Sequence, residues 1–177
     1  MPKEIEKKYL LWENGIDYSK SYLLGLFLSF PSLRSQVMKR GKPINQGFLS
    51  KDRGWDIAKR IGLKFNFKPE VFRLRDYNGK KYFTVKGRGH EERDEIEKEI
   101  SPSVFRFYWP FTKGKRIEKT RLRIAYGHYI MEIDVFTDRD LILAEIELKN
   151  KNELSGLKSV GMDVSKDKKY KNLSLAK

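Results

Sequence analysis

The 177-residue chain contains no cysteine, which excludes disulfide frameworks, thiolate zinc sites and thiol nucleophiles. Its two histidines, His90 and His128, lie far apart, so neither a histidine-rich metal centre nor a Ser-His-Asp triad is expected. Any metal would have to be held by oxygen. Long apolar runs are also missing: Tyr22 to Phe30 is nine residues, one Gly and one Ser among them, against the roughly 20 that a spanning helix needs. The N-terminal Met-Pro-Lys-Glu-Ile-Glu-Lys-Lys is charged from its start and lacks the apolar centre of a signal peptide, so no membrane partner and a cytoplasmic location are expected. There is no GxxxxGK[ST] phosphate loop and no GxGxxG, and His90-Glu91-Glu92 lacks the second histidine of a zinc-protease helix. Negative charge is in the minority, 24 Asp+Glu against 38 Lys+Arg, for a net charge of +14.

What is present suffices for one modest core, with 39% apolar and 13% aromatic residues, and the length suits a single domain over 1–177. Seven segments alternate charged and apolar residues with the period of two that marks a strand. Lys3 to Leu11 sets Glu4, Glu6 and Lys8 on one side; Phe72 to Arg75 sets Arg73 beside Arg75; Tyr82 to Lys86 sets Thr84 with Lys86. Arg93 to Ile100 aligns Arg93, Glu95, Glu97 and Glu99; Ile117 to Arg123 aligns Lys119, Arg121 and Arg123. Tyr129 to Phe136 gives Glu132 and Asp134, and Leu143 to Leu148 gives Glu145 and Glu147. The opposite faces are apolar, among them Phe72, Leu74, Phe83, Val85, Met131, Ile133 and Ile146.

One such strand is ordinarily the solvated face of an antiparallel sheet. Seven that sort into acidic pairs and basic pairs suit a ligand that combines a polyanion with a metal. A closed barrel accommodates them: apolar faces pack outward beneath helices while charges line a water-filled interior. Counting Glu4, Glu6, Glu95, Glu97, Glu132, Asp134, Glu145 and Glu147 against Lys8, Arg73, Arg75, Lys86, Arg93, Lys119 and Arg121, eight carboxylates oppose seven cations in that interior, a net of −1, leaving about +15 for the rest of the chain. A basic outer surface is compatible with nucleic acid, but a merely Lys-rich composition with no such partner is the favoured explanation.

Between the strands, Asn14 to Arg40 reads as helical in part, with Pro31 in a first turn and Gly41-Lys42-Pro43 as a stop. Asp56 to Ile61 reads as a short helix, Asn78-Gly79 as a hairpin turn, and Ser101-Pro102 as the start of a helix to Tyr108. Phe65-Asn66-Phe67, Phe105 to Trp109, and Met38, Met131 and Met162 read as packing, and the two histidines as loop residues.

Glu4-Ile5-Glu6-Lys7-Lys8 resembles the ExExK signature of the CYTH domain, the triphosphate tunnel metalloenzyme family. The order that follows strengthens the resemblance: Asn45 to Ser50, Phe72 to Arg75, Tyr82 to Gly87, Arg93 to Glu97, Ile117 to Arg121, Met131 to Phe136, Leu143 to Glu147 and Asp163 to Asn172. It spans nearly the whole chain and is closest in character to the short inorganic triphosphatase members. The segments 17–40 and 51–68 look longer than in the compact members, and Ser165 stands where the family often has Thr.

The resemblance implies a mainly β fold, an eight-stranded antiparallel closed barrel with covering helices. It implies catalytic roles for Glu4, Glu6 and Lys8, and triphosphate contacts from Lys8, Arg73, Arg75, Lys86, Arg93, Lys119 and Arg121. It further implies Mg2+ or Mn2+ held by Glu4, Glu6, Glu95, Glu97, Asp134, Glu145 and Glu147. Forked Arg contacts, mobile Lys charges and oxygen ligands for a hard cation agree with those roles. The expected activity is metal-dependent hydrolysis of a small-molecule triphosphate, inorganic tripolyphosphate foremost, by a possible homodimer. A class IV adenylate cyclase, an RNA or nucleoside triphosphatase, and a noncatalytic triphosphate binder are the alternatives.

Overall fold

The computed structural model describes residues 3–20, 30–89 and 92–177; the side chains of residues 3, 4, 30, 31, 151 and 155 fall outside that description. Eight long strands are present among the described residues: β1 (Lys3–Glu13), β3 (Lys42–Leu49), β4 (Val71–Tyr77), β5 (Lys80–Lys86), β6 (Glu92–Glu99), β7 (Arg116–Tyr126), β8 (Tyr129–Phe136) and β9 (Leu141–Leu148). Two-residue strands β2 (Ile16–Asp17) and β10 (Met162–Asp163) pair with β1. The strands belong to one sheet in which β9 returns to pair with β1, giving the closed eight-stranded antiparallel barrel expected. Helices α1 (Phe30–Arg40), α2 (Lys51–Arg60) and α3 (Pro102–Tyr108) pack against β8, β4 and β5 respectively, and a one-turn α4 (Asn172–Leu175) lies near the end of the chain.

By compactness the chain divides into two units, one of residues 1–4, 44–117 and 168–177, the other of residues 5–43 and 118–167. In the first unit, β3, β4, β5 and β6 form a meander in which Asn78 and Gly79, with φ of 51° and 91°, make the tight turn between β4 and β5. Its core lies on the apolar faces of those strands, where Phe72, Leu74, Phe83 and Val85 meet Ile57, Ala58, Phe105 and Tyr108 from α2 and α3. Helix α2 begins five residues earlier than the sequence suggested, because Ser50 caps it by accepting from the Arg53 amide. Gly54 then lets the helix sit directly on the Phe72 ring: a Cβ there would lie 2.1 Å from a ring carbon. Helix α3 begins where expected, capped by Ser101 with Pro102 in its first turn, but continues past Tyr108 into a 3-10 turn, Trp109–Thr112.

In the second unit, β7, β8, β9 and β1 are antiparallel neighbours over a core of Tyr9, Leu11, Met131, Ile133, Val135, Ile142, Ala144 and Ile146, joined by Leu33 and Val37 of α1. The helix α1 occupies the C-terminal part of the expected helical stretch and stops at Gly41, as read; Tyr22 to Ser29 and His90 fall outside the described residues. Three packing assignments are corrected. Met38 and Met162 are exposed because neither points toward a core, whereas Met131 is fully buried. Phe107 is also exposed, lying on the opposite side of α3 from buried Phe105 and Tyr108.

The net charge is divided unevenly between the units. The first carries 23 Lys+Arg against 11 Asp+Glu, or +12, and the second 15 against 13, or +2. The basicity therefore belongs to one unit and is not a uniform coat.

The Gly54 contact yields a stability prediction. In an exposed helix Gly→Ala would gain about 1 kcal/mol. Here the added methyl must displace an aromatic ring, an overpacking cost of about 1–3 kcal/mol that reverses the sign. Gly54→Ala is expected to lower the urea midpoint, and a raised midpoint would show that α2 is not seated on Phe72.

Candidate active site

The second unit carries a face built from four registered rows. Lys119 stands opposite Phe136 in the first row; Arg121, Asp134, Leu143 and Leu10 form the second. Arg123, Glu132, Glu145 and Lys8 form the third, and Glu147 and Glu6 the fourth. Solvent access grows in the same direction. Lys119 and Asp134 side chains are each 1% exposed, Glu145 10% and Glu6 19%, and Glu147 is open to solvent. Buried Leu10, Leu143 and Phe136 close the dry end.

An alternating chain of charge crosses these rows. Lys119 pairs with Asp134, and Arg121 forks onto Asp134 through Nε and Nη2, both at 2.6 Å. Arg121 Nη2 also donates to Glu145 Oε2 at 2.7 Å, and its Nη1 pairs with Glu132. Lys8 Nζ reaches Glu145 Oε1 at 2.8 Å and lies 4.0 Å from Glu6. Burial on its own would raise the Glu145 carboxyl, yet the charges of Lys8, Lys119 and Arg121 together outweigh it and hold the group well below the usual carboxylate range. For Lys119 the balance goes the other way: loss of water lowers its ammonium despite the attraction of Asp134.

Lys8 is itself held from behind. β10 leaves the ladder after Asp163, and the Ser165 hydroxyl takes the place of a strand carbonyl by accepting from the Lys8 amide at 3.0 Å. The Val164 amide donates to the Lys8 carbonyl at 2.9 Å, while Asp163 accepts from Ser165 Oγ at 2.6 Å and from Lys7 Nζ at 2.8 Å.

The first unit carries a second charged face. Its register rows are Phe48, Arg73, Thr84 and Glu97; Gln46, Arg75, Tyr82 and Glu99; and Val71, Lys86 and Glu95. Glu97 gathers the arginines. Arg75 Nη2 donates to its two oxygens at 2.6 and 2.8 Å, Arg73 Nη2 at 3.2 Å and the Thr84 hydroxyl at 2.7 Å. Burial would raise this carboxyl, but Arg75 and Arg73 prevail and lower it. Lys86 Nζ pairs with Glu95 Oε2 at 2.6 Å, and Arg93 lies half-buried two residues before Glu95 on the same strand.

The structure thus places Glu6, Lys8, Lys119, Arg121, Asp134, Glu145 and Glu147 on one face, and Arg73, Arg75, Lys86, Arg93, Glu95 and Glu97 on the other. Glu4 lies on β1, but its side chain is outside the described residues. Ser165, Asp163, Gln46 and the apolar floor were not singled out as site features. No three carboxylate or histidine groups converge as a ready metal centre among the described residues. The donor chemistry nonetheless suits a hard divalent cation, since register places Glu6 beside Glu147 and Glu132 beside Glu145, all oxygen ligands.

No family model matches the chain. It is 33% identical over 147 residues to an inorganic triphosphatase of Acetivibrio thermocellus, covering 77% of this chain and 94% of that protein. The chain belongs to the CYTH, or triphosphate tunnel metalloenzyme, family. An inorganic triphosphatase of Nitrosomonas europaea is 34% identical over 111 residues, which cover 59% of this family member and 73% of the relative. The fold agrees: a crystal structure of an inorganic triphosphatase superposes with a TM-score of 0.55 at 24% identity, over 99% of this chain and 95% of that one.

The depressed Glu145 carboxyl gives a pH prediction. A carboxyl lowered in the folded state from its ordinary 4.5 adds stability that is complete above that value and is lost as pH falls below it. Between neutral pH and about pH 3, Glu145→Gln is expected to lose less thermal stability than the unsubstituted protein. Equal losses would mean that Glu145 is not ionised within the pair network.

Proposed function

We propose that the chain hydrolyses a terminal phosphoryl group from a triphosphate, inorganic tripolyphosphate foremost, with the help of Mg2+ or Mn2+. The observation that carries this reading is the Lys8–Glu145–Arg121 network, in which buried cations and carboxylates alternate on one face and neutralise one another. Relatives described as inorganic triphosphatases support the reaction class.

Phosphoryl transfer asks a protein chiefly to position the anion and stabilise its spreading charge. Lys8 and Arg121, now turned toward Glu145, are the cations that would move to phosphate oxygens; Arg73, Arg75 and Lys86 are cations of the same kind on the other face. Arg121 presents a planar fork suited to a phosphate edge, whereas Lys8 supplies a point charge that can follow the reacting group. Glu6, Glu147, Glu132 and Glu145 would hold the metal, with Glu4 added from the sequence. Bound there, the ion supplies Lewis acidity toward the transferring group. The Ser165 clasp on the Lys8 backbone fixes where that ammonium starts.

The test is phosphate release from tripolyphosphate, ATP and thiamine triphosphate with Mg2+ or Mn2+, repeated with excess chelator. Turnover that is highest on tripolyphosphate and vanishes with chelator is expected; tight binding of all three without turnover would sink the hydrolase. Variants separate the charge sets. Glu145→Gln or Glu6→Gln is expected to lower kcat on the order of a hundredfold, the scale of removing one preorganised electrostatic group, with tripolyphosphate affinity largely kept. Lys86→Ala or Arg75→Ala is expected to raise KM about tenfold or more, as loss of a charged hydrogen bond does. Equal, mild effects from both sets would return the faces to the role of a solvated surface.

A further inference from the structure

Gln46 lies in the middle of β3, flanked two residues either way by buried Ile44 and Phe48, and is itself only 1% exposed. Register sets it directly opposite Arg75 on the charged face of the first unit, where facing side chains start about 5 Å apart. Its position is tightly held. The neighbouring Gly47 backs onto Thr112 so closely that a Cβ there would come within 2.5 Å of it, so only glycine lets β3 approach Thr112 in this way.

In the Gln46–Arg75 register pair, two donors meet no acceptor among the described residues. The Gln46 Nε2 amide and the Arg75 Nε–H are both buried and make no hydrogen bond. Glu97, the carboxylate that Arg75 engages, is already committed, since it takes both bonds from Arg75 Nη2, one from Arg73 and one from Thr84. Leaving a buried donor unmade costs about 1–3 kcal/mol. Two such donors on residues paired across β3 and β4 are therefore costly unless an acceptor from outside the protein reaches them.

The chemistry of the ligand follows from the donors. Both present N–H, so a metal ion is repelled and an acceptor oxygen with more than one lone pair is accepted. A neutral amide beside a guanidinium suits a non-bridging phosphate oxygen, whose bonds to charged donors are short and strong. We propose that Gln46 is a substrate-binding residue that, with Arg75 Nε–H, holds one non-bridging oxygen of the triphosphate. This rests on the triphosphate reading above and adds to it a neutral contact that the charged pattern does not contain. It also makes Glu97 a positioning residue, since that carboxylate holds the Arg75 guanidinium through Nη2 and leaves Nε–H unused.

The test reads binding, so that it stands apart from turnover. Gln46→Met keeps the length and shape of the side chain and removes the donor. With excess chelator present and ionic strength fixed, its tripolyphosphate affinity by calorimetry is expected to fall about tenfold. The Tm of the ligand-free variant is expected to match or exceed that of the unsubstituted protein, because an unmade donor has been removed. Gln46→Glu, which offers Arg75 an internal acceptor and adds negative charge, is expected to weaken tripolyphosphate further. Unchanged affinity in Gln46→Met, in a protein that does release phosphate, overturns the assignment and leaves the hydrolase standing. A lower Tm with affinity lost in proportion overturns it too, by showing a structural role. If the unsubstituted protein binds no tripolyphosphate, the triphosphate reading falls and this assignment falls with it.

Discussion

Arg121 sits where the second unit's charges would otherwise be untenable. Its guanidinium is enclosed by protein, and burial of an unpaired charge costs several kcal/mol even after relaxation. Three carboxylates, Asp134, Glu132 and Glu145, meet its donors, and the fork geometry of a guanidinium lets one group serve all of them. That arrangement requires β7, β8 and β9 in one register, because a slip of a single residue would turn every charge to the apolar side. The ion network and the core on the other face of the same strands therefore fix the sheet jointly: neither can be satisfied in a register that fails the other.

Such a network is a poor source of net stability, since breaking even with a well-packed apolar core is the usual outcome for buried pairs. Its presence along four strands points to use. Under the proposed function, the cations are held in place by carboxylates that the triphosphate would displace, so the free protein would keep these groups ordered at the cost of part of the affinity. Glu97 does the same for Arg73 and Arg75. Both faces thus set cationic donors on carboxylate acceptors, and the same construction is reached twice from different strands.

The alternating strands were legible in the sequence because period two is a local property: Arg73-Leu74-Arg75 and Glu145-Ile146-Glu147 state their own faces. The Asn78-Gly79 turn and the Ser101-Pro102 helix start were legible for the same reason, each being fixed by a few adjacent residues. The pairing of Gln46 was not: the residue stands inside the Asn45 to Ser50 motif, but a single amide between Ile44 and Phe48 has no period of its own, and its cross-strand partner Arg75 emerges only from register. Nor was Ser165, whose hydroxyl matters because the chain happens to leave the ladder beside Lys8, 157 residues away in sequence. Leu10 and Leu143 sit on the charged face but break its alternation, so their role as a floor emerged only from register. The division of charge between the units required knowing which distant segments join.

That apolar floor divides the second unit's face into two electrical regimes. Mobile ions can reach Glu147 and Arg123, and there added salt weakens attraction within about 8–10 Å at ordinary ionic strength. They cannot reach Lys119 and Asp134, which lie against Phe136 and Leu143 with almost no water beside them. The outer pairs behave as exchangeable contacts whose strength the surrounding solution sets, while the inner pair behaves as permanent wiring, with a field that does not change when the medium does.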